Sequence, residues 1–238
     1  MFFGYKGPFT TATTWISYAL TAWAVYLITQ EQVSSSWLLL SVMGIFCLQM
    51  GVTVGLHRLF SHRAFRCSKY WESIIAYWAT LGIYGSTIQW AGMHVEHHKY
   101  SDTDRDPMLT HWSYMLWQRN RNSNVDRRTL MRLWRSPLHR FLHNYYALVI
   151  LVTCLALYLI SPWALLFGYA IPLAWYHWVS SWHTVLSHGL DGPRNLSSLE
   201  FVMFTGGEWG HLSHHQHSKR IKFDRFDVGY HFIKFIKL

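Results

Sequence analysis

Three clusters of histidine carry the chemistry legible in this chain. His211-Leu212-Ser213-His214-His215 repeats the spacing of His94-Val95-Glu96-His97-His98, and a pair, His57 and His62, lies upstream. On a helix of 3.6 residues per turn, positions i, i+3 and i+4 share one face, so each H-x-x-H-H segment points three imidazoles the same way. Imidazole is a good ligand for first-row transition metals. Eight such side chains are enough for two ions. A lone histidine is more often a surface or satisfied core residue, but three clusters, two of them with one spacing, are not explained that way. His57 and His62 lie about 140° apart on a regular helix. They face one site only if the helix bends or frays there, or if they serve separate metals. Asp102 and Asp106, just beyond His98, read either as acceptors for imidazole N–H groups or as part of a solvated loop before Pro107.

The donor set narrows the metal. A structural zinc site closes at four ligands and commonly includes cysteine. Eight histidines without cysteine exceed that and favour iron, with zinc or copper as alternatives. A redox metal beside acyl chains can oxidise unactivated C–H bonds with dioxygen, which zinc cannot. A metal transporter is the rival, but its ligands belong near the membrane midplane. These clusters lie at or beyond the ends of apolar runs.

Those runs must position the histidines. Charged residues are only 14% of the 238-residue chain, against about 25% in a soluble domain, and 51% of residues are hydrophobic. The pattern predicts an all-α integral membrane protein of one domain, 1–238. Four runs approach the roughly 20 residues needed to cross a bilayer: 11–29, 36–56, 144–160 and 162–182. Trp15, Trp37, Trp163 and Trp182 lie near their ends as interfacial anchors. Short connections make two helical hairpins, and Pro162 suits a helix start. The remaining segments, 57–143 and 183–238, form a helical cap. A fifth run at about 70–90 is interrupted by Glu72, Gly82, Gly85 and Gln89. If all three clusters build one site, an even number of crossings separates any two, so this run should be interfacial or re-entrant.

Charge points to the same arrangement. Of 21 lysines and arginines, 13 fall in Arg58–Arg140, seven in Arg194–Lys237 and one is Lys6. The positive-inside rule then puts both termini and every histidine cluster on the cytoplasmic face. Topology and attraction to anionic lipid account for the basic excess without nucleic acid. Cys47, Cys67 and Cys154 show neither disulfide nor metal-ligand spacing. The N-terminus lacks a cleavable signal pattern, so the first run is expected to stay as an anchor.

The boxes H-x4-H, H-x-x-H-H and H-x-x-H-H, in this order around paired apolar runs, resemble the membrane-bound fatty acid desaturases, most closely the stearoyl-CoA type and its bacterial relatives. The segment His57-Arg58-Leu59-Phe60-Ser61-His62-Arg63, Trp90 ahead of His94, His97-His98-Lys99-Tyr100-Ser101, Asp106-Pro107 and Gly207-Glu208 ahead of His211 carry the likeness. It covers about residues 39–230. The resemblance implies four spans under a cytosolic cap, two iron ions, dioxygen as co-substrate, and two electrons from an external donor. It implies a ninth histidine after the fourth span in an Asn-Ser-x-x-His setting. His188 is the choice over His183, because it lies outside the span before a glycine-containing turn. Neither has the asparagine: Thr184 stands at that offset from His188, and Val179 from His183. Val95 replaces the arginine usual in the acyl-CoA type.

The expected function is therefore a di-iron fatty acyl desaturase acting on an acyl-CoA or acyl-lipid in the membrane. The expected metal ligands are His57, His62, His94, His97, His98, His188, His211, His214 and His215. With no haem domain before Leu238, electrons are expected from a separate protein of ferredoxin or cytochrome b5 type. A hydroxylase or ketolase on the same scaffold, or a non-catalytic metal-binding membrane protein, are the alternatives. His177 and His183 are expected at helix interfaces, His139, His143 and His231 at the membrane interface, His217 in solvent, and His111 in a structural or channel-wall role.

Overall fold

Each long apolar run becomes a helix, and two of them change type midway. The computed structural model describes residues 2–3, 8–30, 32–108, 123–125, 127–189, 192–196, 206–208, 210–223 and 226–238. The chain is mostly helical. Helix α1 spans Pro8–Thr29. Ser34 then caps a 3-10 turn, Ser35–Trp37, with its side chain accepting from the Ser36 amide at 3.2 Å. The turn runs on into α2, Leu38–Gln49, and a π-helical segment, π1, Met50–Ser61. The second long rod comprises α8, Pro162–Leu165, a π turn, Leu166–Ala170, and α9, Ile171–Ser187. Pro172 offers no N–H to the Gly168 carbonyl four residues back, which explains the widened turn there. Between the rods lies α7, Tyr146–Ile160, joined to α8 through Ser161 alone.

The fifth run is two helices rather than one. Helix α3, Lys69–Leu81, starts at Ser68, whose hydroxyl accepts from the Trp71 amide. Helix α4, Thr87–Tyr100, starts at a reciprocal capping box between Ser86 and Gln89. The break between them holds Ile83 and Gly85 at φ 55° and 94°. The physical gain is that α4 begins afresh, with Trp90 and the whole second histidine box on one continuous helix. Helix α3 packs closely on π1: a Cβ at Gly51 would lie 2.5 Å from the Ala79 amide nitrogen, so only glycine allows the approach.

The cap also contains α5, Arg127–Arg135, and α6, Pro137–Asn144. Two short strand pairs tie distant parts together. β1, Phe2–Phe3, pairs antiparallel with β2, Ser123–Asn124, and β3, His188–Gly189, pairs with β4, Gly192–Pro193. Helices α10, His211–Gln216, and α11, Val228–Ile236, close the chain. The Leu238 amide donates to the Arg66 carbonyl at 2.9 Å, which pins the C-terminal residue beside the end of the first box.

All four expected spans are helical at the expected places. Among the described residues, Ser35–Ser61 is long and apolar enough to cross a membrane; α6 and α7, bent by 78°, would make a second as one span. Threonine, serine, tryptophan and histidine dilute the other two. Large apolar side chains nevertheless face outward on α1, α2 and α7, with Leu39 73%, Leu159 74% and Ile160 77% exposed. Such rows mark a surface made for lipid or protein contact. The main core lies where π1, α3 and α4 meet; a smaller one, around Ala24, Leu27 and Phe167, joins α1 to the second rod.

Candidate metal centre

The π geometry of the second span answers the spacing problem of the first box. The wider turn of an i→i+5 helix brings residues five apart closer in angle than a regular α-helix does, and the His62 amide donates to the His57 carbonyl at 3.2 Å. The two rings therefore sit with centroids 5.0 Å apart instead of diverging. Helix α4 supplies His94, His97 and His98, and α10 supplies His211, His214 and His215. His188, at the end of α9, completes a set of nine.

These nine imidazoles form two groups. His57, His62, His94, His98 and His214 converge in one, and His97, His188, His211 and His215 in the other, with ligand atoms in each group within 4.8 Å of one another. Within the first group, Nε2 atoms lie 2.8 Å apart for His57 and His214, for His62 and His94, and for His98 and His214. In the second, His211 Nε2 is 2.7 Å from His188 Nε2 and 3.0 Å from that of His215. The H-x-x-H-H spacing splits as follows: the first and third histidines of box two join one group, and the middle one turns to the other. Box three does the reverse.

The groups look built for cations. A neutral imidazole has one N–H and one lone pair, so several ring nitrogens aimed at one point cannot all be satisfied by each other. His97 makes this plainest. Its Nδ1–H donates to both Asp106 oxygens at 2.9 Å, which leaves the lone pair on Nε2, and that buried atom has no hydrogen-bond partner. Burial, followed by the neighbouring rings, lowers the pKa values of His62 and His215, to about 2 and about 3. His94, His98, His211 and His214 are also shifted down, with burial the leading cause. These six rings are therefore neutral at physiological pH, with lone pairs available to a metal. An all-imidazole donor set of this size fits two first-row transition ions, iron included.

Carboxylates behind the rings fix their orientation. Asp102 accepts from His188 Nδ1 at 3.0 Å and Asp106 from His97, so both aspartates after box two serve rings. Glu208 lies 2.5 Å from His57 Nδ1 and also takes Arg58 Nη2 at 3.1 Å. Arg58, buried at 1% exposure, reaches Asp227 through Nη1 at 2.9 Å. Asp227 in turn caps α11 at the Tyr230 amide. Burial pushes the Glu208 carboxyl up, and the Arg58 guanidinium opposes it. Gly207, at φ 93°, leaves room that a Cβ would take from the Asp227 carboxylate.

The other histidines play different parts. His183 donates to or accepts at none of the clustered rings: its Nε2 is 2.8 Å from the Glu208 carbonyl, and it lies outside both groups. His177 bridges Thr14 and the Gly82 carbonyl at a helix interface. His139 is buried between Thr87 and Glu72, and His143 bonds Ser86 at 2.7 Å, so these two serve interhelical contacts. His217 and His231 are exposed, and His111 lies outside the described residues. Sequence reasoning missed the Arg58–Asp227 link, for which separation by 169 positions left no local signal. It also missed Asn195, whose Oδ1 accepts from the Leu212 amide at 3.0 Å and so supports the start of α10.

A cavity of about 90 Å³ adjoins the centre. His57, His94, His97, His188 and His211 face it, against walls of Val52, Tyr84, Trp90, Met93, Met108 and Tyr176. A Tyr84–Ser180 hydroxyl contact ties the break before α4 to α9 along one wall.

No protein-family model matches the chain. Individual relatives do. The chain is 29% identical over 195 residues to the sn-1 stearoyl-lipid 9-desaturase of Anabaena variabilis, covering 75% of this chain and 71% of that protein. It is 30% identical over 192 residues to the sn-2 palmitoyl-lipid 9-desaturase of Nostoc sp. (strain 36), covering 73% and 67%. To Delta-9 acyl-lipid desaturase 1 of Arabidopsis thaliana it is 30% identical over 215 residues, covering 79% and 68%.

Proposed function

The chain belongs to the fatty acid desaturase family, and on that premise we propose that it is a membrane-embedded di-iron enzyme that inserts a double bond into a saturated, lipid-carried acyl chain. The observation that carries this reading is the pair of imidazole groups, one of five and one of four, edging a single apolar cavity. The nine histidines named above are the proposed metal ligands. Two irons held there would supply dioxygen-dependent removal of two hydrogens from adjacent carbons, with two electrons from an external donor and water as by-product.

The residues of this chain bind, orient and exclude. Val52, Met93, Met108 and Tyr176 offer the acyl chain an apolar wall, and the rings of His57, His94, His97, His188 and His211 bring the proposed metals to the same space. Asp102, Asp106 and Glu208 hold Nδ1–H groups so that each Nε2 points inward. Burial of seven rings at 9% exposure or less keeps bulk water away from the reacting atoms.

The domain is read as one unit with four spans beneath a cytoplasmic cap. Two contacts support one-sided placement of the termini. β1 pairs with β2, so the N-terminal residues meet the segment after box two, and Leu238 meets Arg66 beside box one. The outward apolar rows on α1, α2 and α7 support lipid contact. The named actions of the relatives on stearoyl-lipid and palmitoyl-lipid favour a lipid carrier.

Expression in a host lacking unsaturated fatty acids, followed by lipid mass spectrometry, tests the reading. Oxygen-dependent products lighter by about two mass units are expected, as befits loss of two hydrogens. Products heavier by about sixteen would make it an oxygenase, and unchanged lipids with an iron-loaded chain would end the catalytic reading.

A further inference from the structure

The apolar row that α2 turns outward, Leu39, Val42, Met43 and Phe46, ends where the chain enters the cap, since every residue from Leu48 to Phe60 is buried. At that edge Phe46 meets Phe232 of α11, with ring centroids 5.8 Å apart. Phe232 also lies against Trp71 and Trp78 of α3. Helix α11 therefore carries the outward apolar surface of the second span on into the cap.

Beyond Phe232 the surface becomes mixed. Phe235 is 75% and Tyr70 70% exposed, and both rings lie against Trp71, with centroids 5.8 and 5.7 Å away. The backbones of Cys67 and Lys237 pair as an antiparallel bridge beside the Leu238–Arg66 hydrogen bond. Exposed Lys234 and Lys237 are thereby brought next to exposed Arg66 and Lys69, around the two rings. Glu72 is the acid on this side of α3, and Lys69 and His139 already hold it, at 2.8 and 3.2 Å. Exposed aromatic tips ringed by cations, continuous with an outward apolar row, have the chemistry of the boundary between acyl chains and anionic headgroups. An acidic soluble protein would match the charge but not the continuity with that row.

We propose that this patch binds anionic phospholipid, with Arg66, Lys69, Lys234 and Lys237 taking the headgroup phosphate and Phe235 and Tyr70 entering the acyl region, and that the bound lipid anchors α11. The inference rests on the membrane reading above. Its consequence reaches the metal centre. Helix α11 starts at Asp227, which holds Arg58, and Arg58 holds the Glu208 carboxylate behind His57.

The test titrates the full, metal-free chain in an uncharged detergent with dioleoyl phosphatidylglycerol or dioleoyl phosphatidylcholine, reading the melting temperature. Phosphatidylglycerol should raise it, phosphatidylcholine should not, and the rise should fade between about 20 and about 500 mM salt. K234Q/K237Q should need about 25-fold more phosphatidylglycerol for half the rise, about five-fold for each lysine. F235S should need about tenfold more and keep the salt dependence. K99Q/K219Q, which removes two exposed lysines elsewhere on the cap, should titrate like wild type, and all variants should melt with wild type when no lipid is added. Equal response to the two lipids, a rise that survives high salt, or K234Q/K237Q titrating like wild type would overturn the proposal and leave the membrane reading standing. A chain that stays in solution without detergent would take that reading down as well. No response to either lipid, with K234Q/K237Q changing the oligomeric state, would make the patch a protein contact and overturn the lipid assignment.

Discussion

The two imidazole groups use one kind of donor but are held from different parts of the chain. In the group of four, His97 and His188 are each backed by an aspartate from the short segment after α4. In the group of five, His57 alone has a carboxylate behind it among the described residues, and that carboxylate, Glu208, is linked through buried Arg58 to Asp227 at the start of α11. Among the described residues, His94 and His214 in the same group, and His211 in the group of four, have buried Nδ1 atoms with no partner. The smaller group thus depends on local carboxylates, and the larger on number of ligands and on a distant helix. Backing of this kind sets ring orientation and basicity.

The largest effects should come from the rings themselves. His214→Ala removes one of five and His97→Ala one of four, and both should drop desaturation below detection. They should differ in metal content. The five-membered group keeps four imidazoles after His214→Ala, enough for weak binding, whereas three remain around the other metal after His97→Ala. Metal analysis after equilibrium dialysis should therefore find closer to one ion per chain for His97→Ala than for His214→Ala. Equal content would erase the distinction between the groups.

Next come the carboxylates. Asp106→Asn and Glu208→Gln should each cost about 10- to 100-fold in activity or metal affinity. Asp106→Asn should weaken only the group of four. Glu208→Gln should weaken the group of five and also lower thermal stability, because Arg58 is buried and would keep only Asp227 as a charged partner. Metal titration with calorimetry on both variants checks this. A stability loss as large in Asp106→Asn would show that the two carboxylates do the same job.

Much of this site was legible in the sequence because ligand spacing is a local property. The i, i+3, i+4 pattern gave two triplets, and the structure brings all three boxes together. What local spacing could not give was the exchange of ligands between groups, since which ring of a box turns to which partner depends on how α4 and α10 face each other. The π-helix at Met50–Ser61 was equally hidden: nothing in its residue types tells i→i+4 from i→i+5 bonding. The run near 70–90, expected as one interfacial or re-entrant helix, is two helices for a readable reason, as Gly82, Gly85 and Ser86 mark a stop and a new cap. Asp102 and Asp106 lay open between solvent and ring support until their distances to His188 and His97 decided it.

Acidification probes both groups at once. The folded chain holds His62 and His215 neutral down to about pH 2 and about pH 3, while in the unfolded chain they take up protons near the ordinary histidine value. Between about pH 6.5 and about pH 3 the unfolded state therefore binds more protons, and stability falls as pH drops, by up to about 1.4 kcal/mol per pH unit for each such ring. Above about pH 7 the same groups contribute no slope. The melting temperature of the metal-free chain should be flat from pH 7 to 8 and fall steadily from pH 6.5 to 5. A flat profile through pH 5 would mean the rings are not held neutral by the fold.

The smallest effect should come from Asn195, and it tests what the groups share. Helix α10 is preceded by Gly210, which has no side chain to cap it, and relies on Asn195 Oδ1 at the Leu212 amide. It carries His214 for one group and His211 and His215 for the other. Asn195→Ala removes that support, a loss of about 1 kcal/mol by comparison with helix caps, which is roughly a five-fold change in an equilibrium. Because both groups draw on this helix, both metals should weaken by the same few-fold factor, in contrast to the one-sided effects of Asp106→Asn and Glu208→Gln. Metal titration that shows one group weakened and the other untouched would mean α10 is held rigid by its ligated rings and not by its N-terminal contact.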